Sequence, residues 1–170
     1  MAIRKLIGNG EVIAADFKAI KWVGKTKGGN DVVINLENGI NMGNIEWTMA
    51  EKNDIVAAVT FTACYNNTDH ASNSNYEPWS IEVDDATTAG ANEIILGAGV
   101  FYIGGTAVAL TRGGGSFNVE REYREINADG DRGTVKGRVV MEASRATLTM
   151  NILTMLTKLS DIYTSIEVSA

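Results

Sequence analysis

The amino-acid sequence predicts a mainly β protein, a β-sandwich or barrel of about ten strands with one short α-helix near residues 154–163. Apolar residues alternate with other residues along most of the chain, and this is the period of a β-strand. Glycine occurs 18 times and proline once, which suits many short strands joined by glycine-containing turns. Only near the C-terminus does the apolar spacing become helical, so the expected architecture is a sandwich or a barrel.

Composition and charge restrict the function classes. The 170 residues suffice for one domain, and 45% hydrophobic with 21% charged residues is typical of a globular protein. The formal charge of −6 disfavours electrostatic binding to DNA or to anionic lipid. The sequence contains neither an apolar run of membrane-spanning length nor a signal-peptide core, so we expect no membrane partner and folding in a cytoplasm.

In the first half of the chain, alternating rows predict strands and one hairpin. These rows are Ile20 and Trp22, then 32–36 beyond a turn at 28–30, then 45–49, 55–65 and 79–83. The second face of the row 55–65 is hardly polar, so we expect that strand to be covered on both sides. Residues 66–77 are polar and rich in Asn and Ser, which predicts a loop, and residues 84–91 have the composition of a flexible linker.

The second half predicts further strands and the helix. Residues 93–110 indicate two short strands around a Gly104-Gly105 turn, and the glycine triplet 113–115 indicates a bend or a close approach of the backbone. Residues 146–152 alternate as a strand. Helical spacing then follows in Met155, Leu156, Leu159, Ile162 and Tyr163.

The segment between Phe117 and Met141 predicts a specific hairpin. A three-residue loop at 128–130, with Gly130 in the left-handed region, is a common connection. It sets apolar residues opposite each other: Phe117 and Met141, Val119 and Val139, Tyr123 and Val135. It also sets opposite charges across the strands: Glu120 with Arg138, and Glu122 with Lys136. A two-residue loop would place Arg121 opposite Arg138, so we prefer the three-residue loop.

Residues with catalytic or metal-binding chemistry are few. His70 is the single histidine and lies beside Asp69 in the polar loop, where a solvated surface residue is the common case. Cys64 lies within a strand pattern, so it is expected to be a small buried hydrophobe that forms no internal disulfide. Residues 129–131 lack the rest of a calcium loop, and residues 113–115 lack that of a phosphate loop. We therefore expect no enzyme activity, no cofactor and no metal site.

Arg121 is the exception within a charged strand. Alternation directs its side chain toward the face of Val119 and Tyr123, and the predicted neighbour across the hairpin is Gly137. An arginine on a mostly apolar face indicates either a subunit interface or a partner carboxylate such as Glu125. The sequence leaves both alternatives open.

Residues 93–162 resemble the first part of phage tail tube (major tail) proteins. The resemblance lies in Glu-Ile-Ile-Leu-Gly at 93–97, Val-Phe-Tyr-Ile at 100–103, the glycine triplet, the charged strand 117–126, Asp-Gly at 129–130, Val-Lys-Gly at 135–137, and the run 146–159. Residues 31–65 resemble the last part of the same family through 32–36, 44–47 and 59–61. Together these stretches cover most of the chain.

The order of the two parts is reversed relative to that family. Residues 1–83 resemble the C-terminal part and residues 92–170 the N-terminal part, with the linker-like segment 84–91 at the join. A circular permutant explains this order, with the original ends tied together and new ends opened between Ala170 and Ile3. We expect an engineered rearrangement, although a natural one would give the same sequence.

The resemblance implies a structural subunit of a virion tail whose partner is itself. Such subunits form rings, usually hexameric, that stack into a tube through which DNA or a cargo protein passes without specific binding. Assembly or lumen candidates are Glu120, Arg121, Glu122, Glu125 and Arg138. Opening the chain at its present ends is expected to favour rings or monomers over long tubes. The alternative is a monomeric β-barrel that binds a small ligand in an apolar cavity.

Overall fold

The computed structural model describes residues 5–8, 10–47, 54–73, 75–84, 94–108, 111–130, 132–153, 159–164 and 166–169. The mainly β fold is confirmed, with ten strands and two short α-helices in these residues. The strands are β1 (Lys5–Gly8), β2 (Lys18–Thr26), β3 (Asp31–Gly39), β4 (Ala57–Thr62), β5 (Trp79–Val83), β6 (Ile95–Ile103), β7 (Thr106–Ala107), β8 (Thr111–Glu125), β9 (Val139–Ile152) and β10 (Ile166–Ser169). The helices are α1 (Asn67–Ser72) and α2 (Leu159–Ile162), and a 3-10 turn spans Ala14–Asp16.

All strand pairs are antiparallel and form three sheets. One sheet has the order β5-β3-β2-β6-β7, the second has the order β4-β9-β8, and β1 pairs with β10 in a separate ribbon. The five-stranded and three-stranded sheets share one apolar core. Its buried members are Ile20, Trp22, Val32, Leu36, Ala57, Val59, Phe61, Ala63, Phe101, Ile103, Ala146, Leu148, Met150, Ile152, Leu159, Ile162 and Tyr163. The inward rows of β2, β4 and β9 therefore follow the alternation seen in the sequence.

Glycines form two of the predicted turns. Gly29 has a φ of +90° in the turn between β2 and β3, and Gly104 and Gly105 have φ of +55° and +81° between β6 and β7. Two consecutive residues of positive φ give the twist that a tight hairpin requires. Both turns lie where the sequence predicts them.

The glycine triplet forms both a bend and a close approach of the backbone, the two alternatives that the sequence predicts. Residues 112–114 of β8 lie opposite Asn151 alone, because Thr111 pairs with Ile152 and Gly115 with Met150. This β-bulge uses positive φ at Gly113 and Gly114. A Cβ on Gly115 would lie 2.3 Å from the Thr149 carbonyl oxygen and 2.7 Å from Cζ of Phe101, so the backbone approach there is close.

Two expectations about strands near the middle of the chain were wrong. The row 45–49 was expected to be a strand, but residues 45–47 form no strand and Ile45 is 53% exposed. Met49 lies outside the described residues. The strand predicted over 55–65 is covered on one side only, because Ala58 and Thr60 on its second face are exposed. That face lies on the outside of the three-stranded sheet, where Thr60 Oγ1 lies 2.8 Å from Oγ1 of Thr149.

The loop predicted over 66–77 contains helix α1. The Asn66 side chain caps it by accepting a hydrogen bond from the Thr68 backbone N–H at 3.1 Å. None of the residues of α1 is buried, so no apolar periodicity marked it in the sequence. Helix α2 confirms the end of the helix predicted near 154–163, while residues 154–158 and the linker residues 85–91 lie outside the described residues.

The hairpin of β8 and β9 forms, but the predicted register was wrong. Its loop spans 126–138 rather than 128–130, and Phe117 pairs with Leu148 instead of Met141. Glu120 lies opposite Arg145, not Arg138, and Glu122 lies opposite Ala143, not Lys136. The observed register buries Leu148 and Met150 against the other sheet, and each such burial outweighs a surface ion pair. Gly130 does adopt a positive φ, of +94°.

Candidate assembly surfaces

The outer part of the β8–β9 hairpin extends past the end of the β4–β9 pairing. We call residues 120–145 the arm. Strand β4 covers the edge of β9 along Thr147–Ile152, so in the described residues no third strand pairs with β9 between 139 and 145. The other long edge of the arm belongs to β8, which is the edge strand of its sheet. The arm is therefore a two-stranded ribbon with both edges unpaired by strands.

Large apolar side chains on the arm are exposed. Tyr123 and Met141 are directly opposite each other and are 59% and 44% exposed. Six such residues lie on the arm: Tyr123, Ile126, Val135, Val139, Val140 and Met141. Tyr123, Val139 and Met141 share one face of the ribbon, and a group of exposed apolar side chains is typical of an interaction site.

All five candidate site residues lie on the arm, but only four lie together on one strand. Glu120, Arg121, Glu122 and Glu125 follow one another along the outer part of β8. Glu125 accepts a hydrogen bond from Thr134 Oγ1 at 2.8 Å. Arg138 closes the base of the loop, where its carbonyl oxygen accepts from the backbone N–H of Ile126 at 2.8 Å.

Arg121 contacts an aromatic ring. Its neighbour across the hairpin is Ser144, not the predicted Gly137. The guanidinium carbon lies 5.7 Å from the centroid of the Trp79 ring, and that ring lies 5.7 Å from the ring of Phe117. Trp79 Nε1 in turn donates to Glu77 at 3.2 Å. This group of side chains marks the point where the arm leaves the sandwich.

A polar groove of about 870 Å³ separates the arm from residues 65–77. On that side, the ring of His70 packs against Tyr65 with centroids 5.1 Å apart. Tyr65 donates to Glu77 at 3.4 Å, and burial followed by the Glu77 charge raises the pKa of Tyr65. Tyr76 donates to Glu37, and this hydrogen bond is the main reason that the pKa of Tyr76 rises to about 12.

A second cavity, the inter-sheet cleft, has a volume of about 510 Å³. It lies between the inner face of the five-stranded sheet and the first residues of β8. Four glycines line it, Gly97, Gly99, Gly114 and Gly115, and open space surrounds the Cβ positions of Gly97 and Gly114. Trp22 forms part of the floor, and its indole occupies the space where a side chain at Gly99 would lie.

The mouth of the inter-sheet cleft is apolar and exposed. Ile81 and Ile95 line the cleft and are 50% and 54% exposed. Val83 and Ile94 are the adjoining exposed residues, and we call these four the cleft rim. The arm and the cleft rim together hold ten of the 21 large apolar residues that are exposed in the described chain.

The remaining groups with potential chemistry show no assembled site. Cys64 is half-buried rather than buried, and desolvation raises the pKa of its thiol. The described residues contain no cluster of three or more His, Cys, Asp or Glu side chains able to hold a metal ion. Within the same residues, no helix combines the length and the apolar character needed to cross a membrane.

The sequence predicts a charged hairpin in this region but not the exposure of its apolar side chains. The sequence places Tyr123, Val139 and Met141 on one apolar face without deciding between core and interface, and the structure exposes all three. The cleft was missed because strands on two sheets form it. Its only signal was the glycine spacing at 97, 99 and 113–115.

Comparison with known proteins gives no match to a family model, to a curated protein or to a solved structure.

Proposed function

We propose that this protein is a structural subunit that assembles with copies of itself into rings, the building blocks of a tail tube. The observation that carries the proposal is the arm, a ribbon with exposed apolar side chains whose two strand edges are unpaired by strands in the described chain. Such edges and apolar surface are liabilities in a monomer and are satisfied when neighbouring chains add strands or pack against them. The resemblance to tail tube proteins supplies the ring and the tail of a virion as its setting.

The path of the chain supports the proposed permutation. Lys5 pairs with Ser169 in the β1–β10 ribbon, so the present ends of the chain are neighbours. The other pair of ends is also close. The Asp84 backbone N–H donates to Asp31 at 3.4 Å, and the Ile94 carbonyl accepts from Lys27 at 2.8 Å, both at the same end of the β2–β3 hairpin. Adjacent ends at both positions are what a permuted chain requires.

Charge is consistent with a passage for DNA or an acidic cargo. Six of the 15 Lys and Arg residues and six of the 21 Asp and Glu residues lie within 120–145, so the arm is neutral. The rest of the chain carries the whole net charge of −6. A lumen formed by the rest of the chain would repel phosphate, whereas one formed by the arm would not.

Size-exclusion chromatography with light scattering across a range of protein concentrations tests the proposal. We expect the mass to rise from that of a monomer to that of a closed oligomer. Negative-stain images should then show rings rather than long tubes, because a long mid-chain loop commonly bridges rings in the family that the chain resembles, and the proposed permutation would open the chain there. A monomer at every concentration would refute the proposal, and long tubes would refute the expected effect of the chain ends.

The inter-sheet cleft favours a second candidate, the binding of a small apolar ligand. Its volume lies within the range of about 300–1,000 Å³ that is common for ligand sites, and its lining is mostly apolar. This function predicts a stable monomer that binds apolar compounds, so the same scattering experiment distinguishes the two candidates.

A further inference from the structure

We propose that the arm of one copy docks in the inter-sheet cleft of the next copy, which makes the contact between subunits head-to-tail. The proposal rests on the self-assembly proposed above and specifies its contact. Two apolar surfaces on one chain are exposed, the arm and the cleft rim, and each supplies what the other lacks. One is a two-stranded ribbon, and the other is a recess with open space beside Gly97 and Gly114.

The arm cannot fill the cleft of its own chain. Gly115 lines the cleft and Tyr123 belongs to the arm, yet both lie on the continuous strand β8. Eight residues of strand separate them, a distance of about 26 Å at roughly 3.3 Å per residue. At the base of the arm, Arg121 packs on the Trp79 ring. An arm that fills a cleft must therefore fill that of another copy.

Charge favours this pairing. The segment 79–96, which contains all four residues of the rim, carries Glu82, Asp84, Asp85 and Glu93 and contains no Lys or Arg. The loop of the arm carries Arg132, Lys136 and Arg138 against Asp129 and Asp131. In the proposed contact, a weakly positive loop would meet a segment of acidic composition, while the neutral arm adds no repulsion.

The arm also has the size of a specific interface. It comprises 26 residues, and a stable protein interface takes about 20–30 residues from each partner. The arm and the cleft are different surfaces, so the contact is heterologous. Heterologous contacts close into rings when the rotation between neighbours permits and otherwise continue into filaments. The geometry therefore accounts for ring formation without a two-fold axis.

Two variants separate the two surfaces. Gly97→Leu fills the cleft of its own chain, and no atom lies within 4 Å of the position where its Cβ would be built. Tyr123→Ser with Met141→Ser removes the exposed apolar pair from the arm. Gly10→Leu is the matched control, because Gly10 is exposed, lies outside both surfaces and also has open space around it. Circular dichroism and urea unfolding establish that each variant folds.

Native mass spectrometry of the full chain at several concentrations gives the readout. We expect the unaltered chain and Gly10→Leu to assemble, each of the two test variants alone to be monomeric, and their mixture to give a one-to-one dimer that grows no further. In that dimer the intact arm of the first variant occupies the intact cleft of the second. Assembly of either test variant alone, or a mixture that stays monomeric, overturns the docking but leaves self-assembly standing.

A different result would overturn the self-assembly proposal as well. The unaltered chain would remain monomeric at every concentration, and it would bind the apolar fluorescent probe ANS in a way that Gly97→Leu abolishes. That outcome would assign the cleft to a small molecule.

Discussion

The two halves of the β8–β9 hairpin belong to the same pair of strands and meet opposite environments. In the inner half, Leu148 and Met150 are buried between the sheets, whereas in the outer half Met141 is 44% exposed. Side-chain chemistry does not explain the difference, because both halves alternate apolar residues. The difference lies in the neighbours: the inner half packs in the core shared with the five-stranded sheet and pairs with β4, whose pairing ends before the arm begins. The inner half builds the fold, and the outer half carries a surface that a partner can cover.

A methionine-to-alanine substitution made in each half tests whether the two halves differ in burial. Met150→Ala removes a side chain that is 0% exposed, so we expect the free energy of unfolding to fall by about 2–5 kcal/mol. Met141→Ala, nine residues earlier in the same strand, should change the unfolding of the monomer by less than about 0.5 kcal/mol. Urea unfolding at low protein concentration measures both. Similar losses at the two positions would mean that the halves do not differ.

A second test compares two glycines near the cleft. Gly115→Ala places a methyl group against the Thr149 carbonyl and the Phe101 ring, so overpacking should cost about 1–3 kcal/mol. Gly97→Ala enters open space and should leave stability unchanged or slightly higher. Thermal and urea unfolding of the pair would locate the tight part of the sandwich. A Gly97 variant as unstable as the Gly115 variant would show that the cleft is closed.

The boundary between the halves is tested at Arg121. Arg121→Gln removes the contact with the Trp79 ring, and cation–π contacts at exposed sites contribute about 0.5–1 kcal/mol. Arg124→Gln is the control, because its ion pair with Glu142 is exposed and such pairs contribute little. Urea unfolding followed by tryptophan fluorescence compares them. A larger loss in the Arg124 variant would place the boundary further out along the arm.

The smallest expected effect concerns the segment across the polar groove from the arm. The pKa of Tyr76 is raised to about 12, first by its hydrogen bond to Glu37, whereas an ordinary tyrosine has a pKa of about 10. The stabilisation from this contact is present below pH about 10 and is lost as the pH rises through about 12. We expect Glu37→Gln to return the pKa toward 10 in a spectrophotometric titration, with Tyr76→Phe as the reference. An unchanged titration would remove Glu37 as the cause.

Local sequence patterns predicted the strands and turns whose formation depends on neighbouring residues. Alternation and glycine turns located the strand rows of Ile20 and Trp22, 32–36 and 146–152, along with the Gly104-Gly105 turn, because each depends on residues close in the chain. The hairpin register was missed because it is decided by contacts far apart in sequence. Leu148 gains more from burial on the opposite sheet than the predicted surface ion pairs supply.

The role of the five charged residues named from the sequence stays a prediction. They lie on the arm because the charged pattern is local. The exposure of Val139 and Met141 was not predictable, because it depends on where β4 ends. Helix α1 was hidden for a different reason: it buries no residue and therefore shows no apolar period, and its one signal was Asn66 as a capping residue.

Amide hydrogen exchange of the unaltered chain at low and high protein concentration tests directly whether assembly covers the arm. We expect amides of residues 139–145 to exchange at least about tenfold more slowly when the chain assembles, equivalent to about 1.4 kcal/mol of added protection. Amides of residues 146–152 should exchange at the same rate in both samples, because β4 and β8 already pair with them. Assembly that leaves the exchange of residues 139–145 unchanged would contradict the claim that the arm is the covered surface.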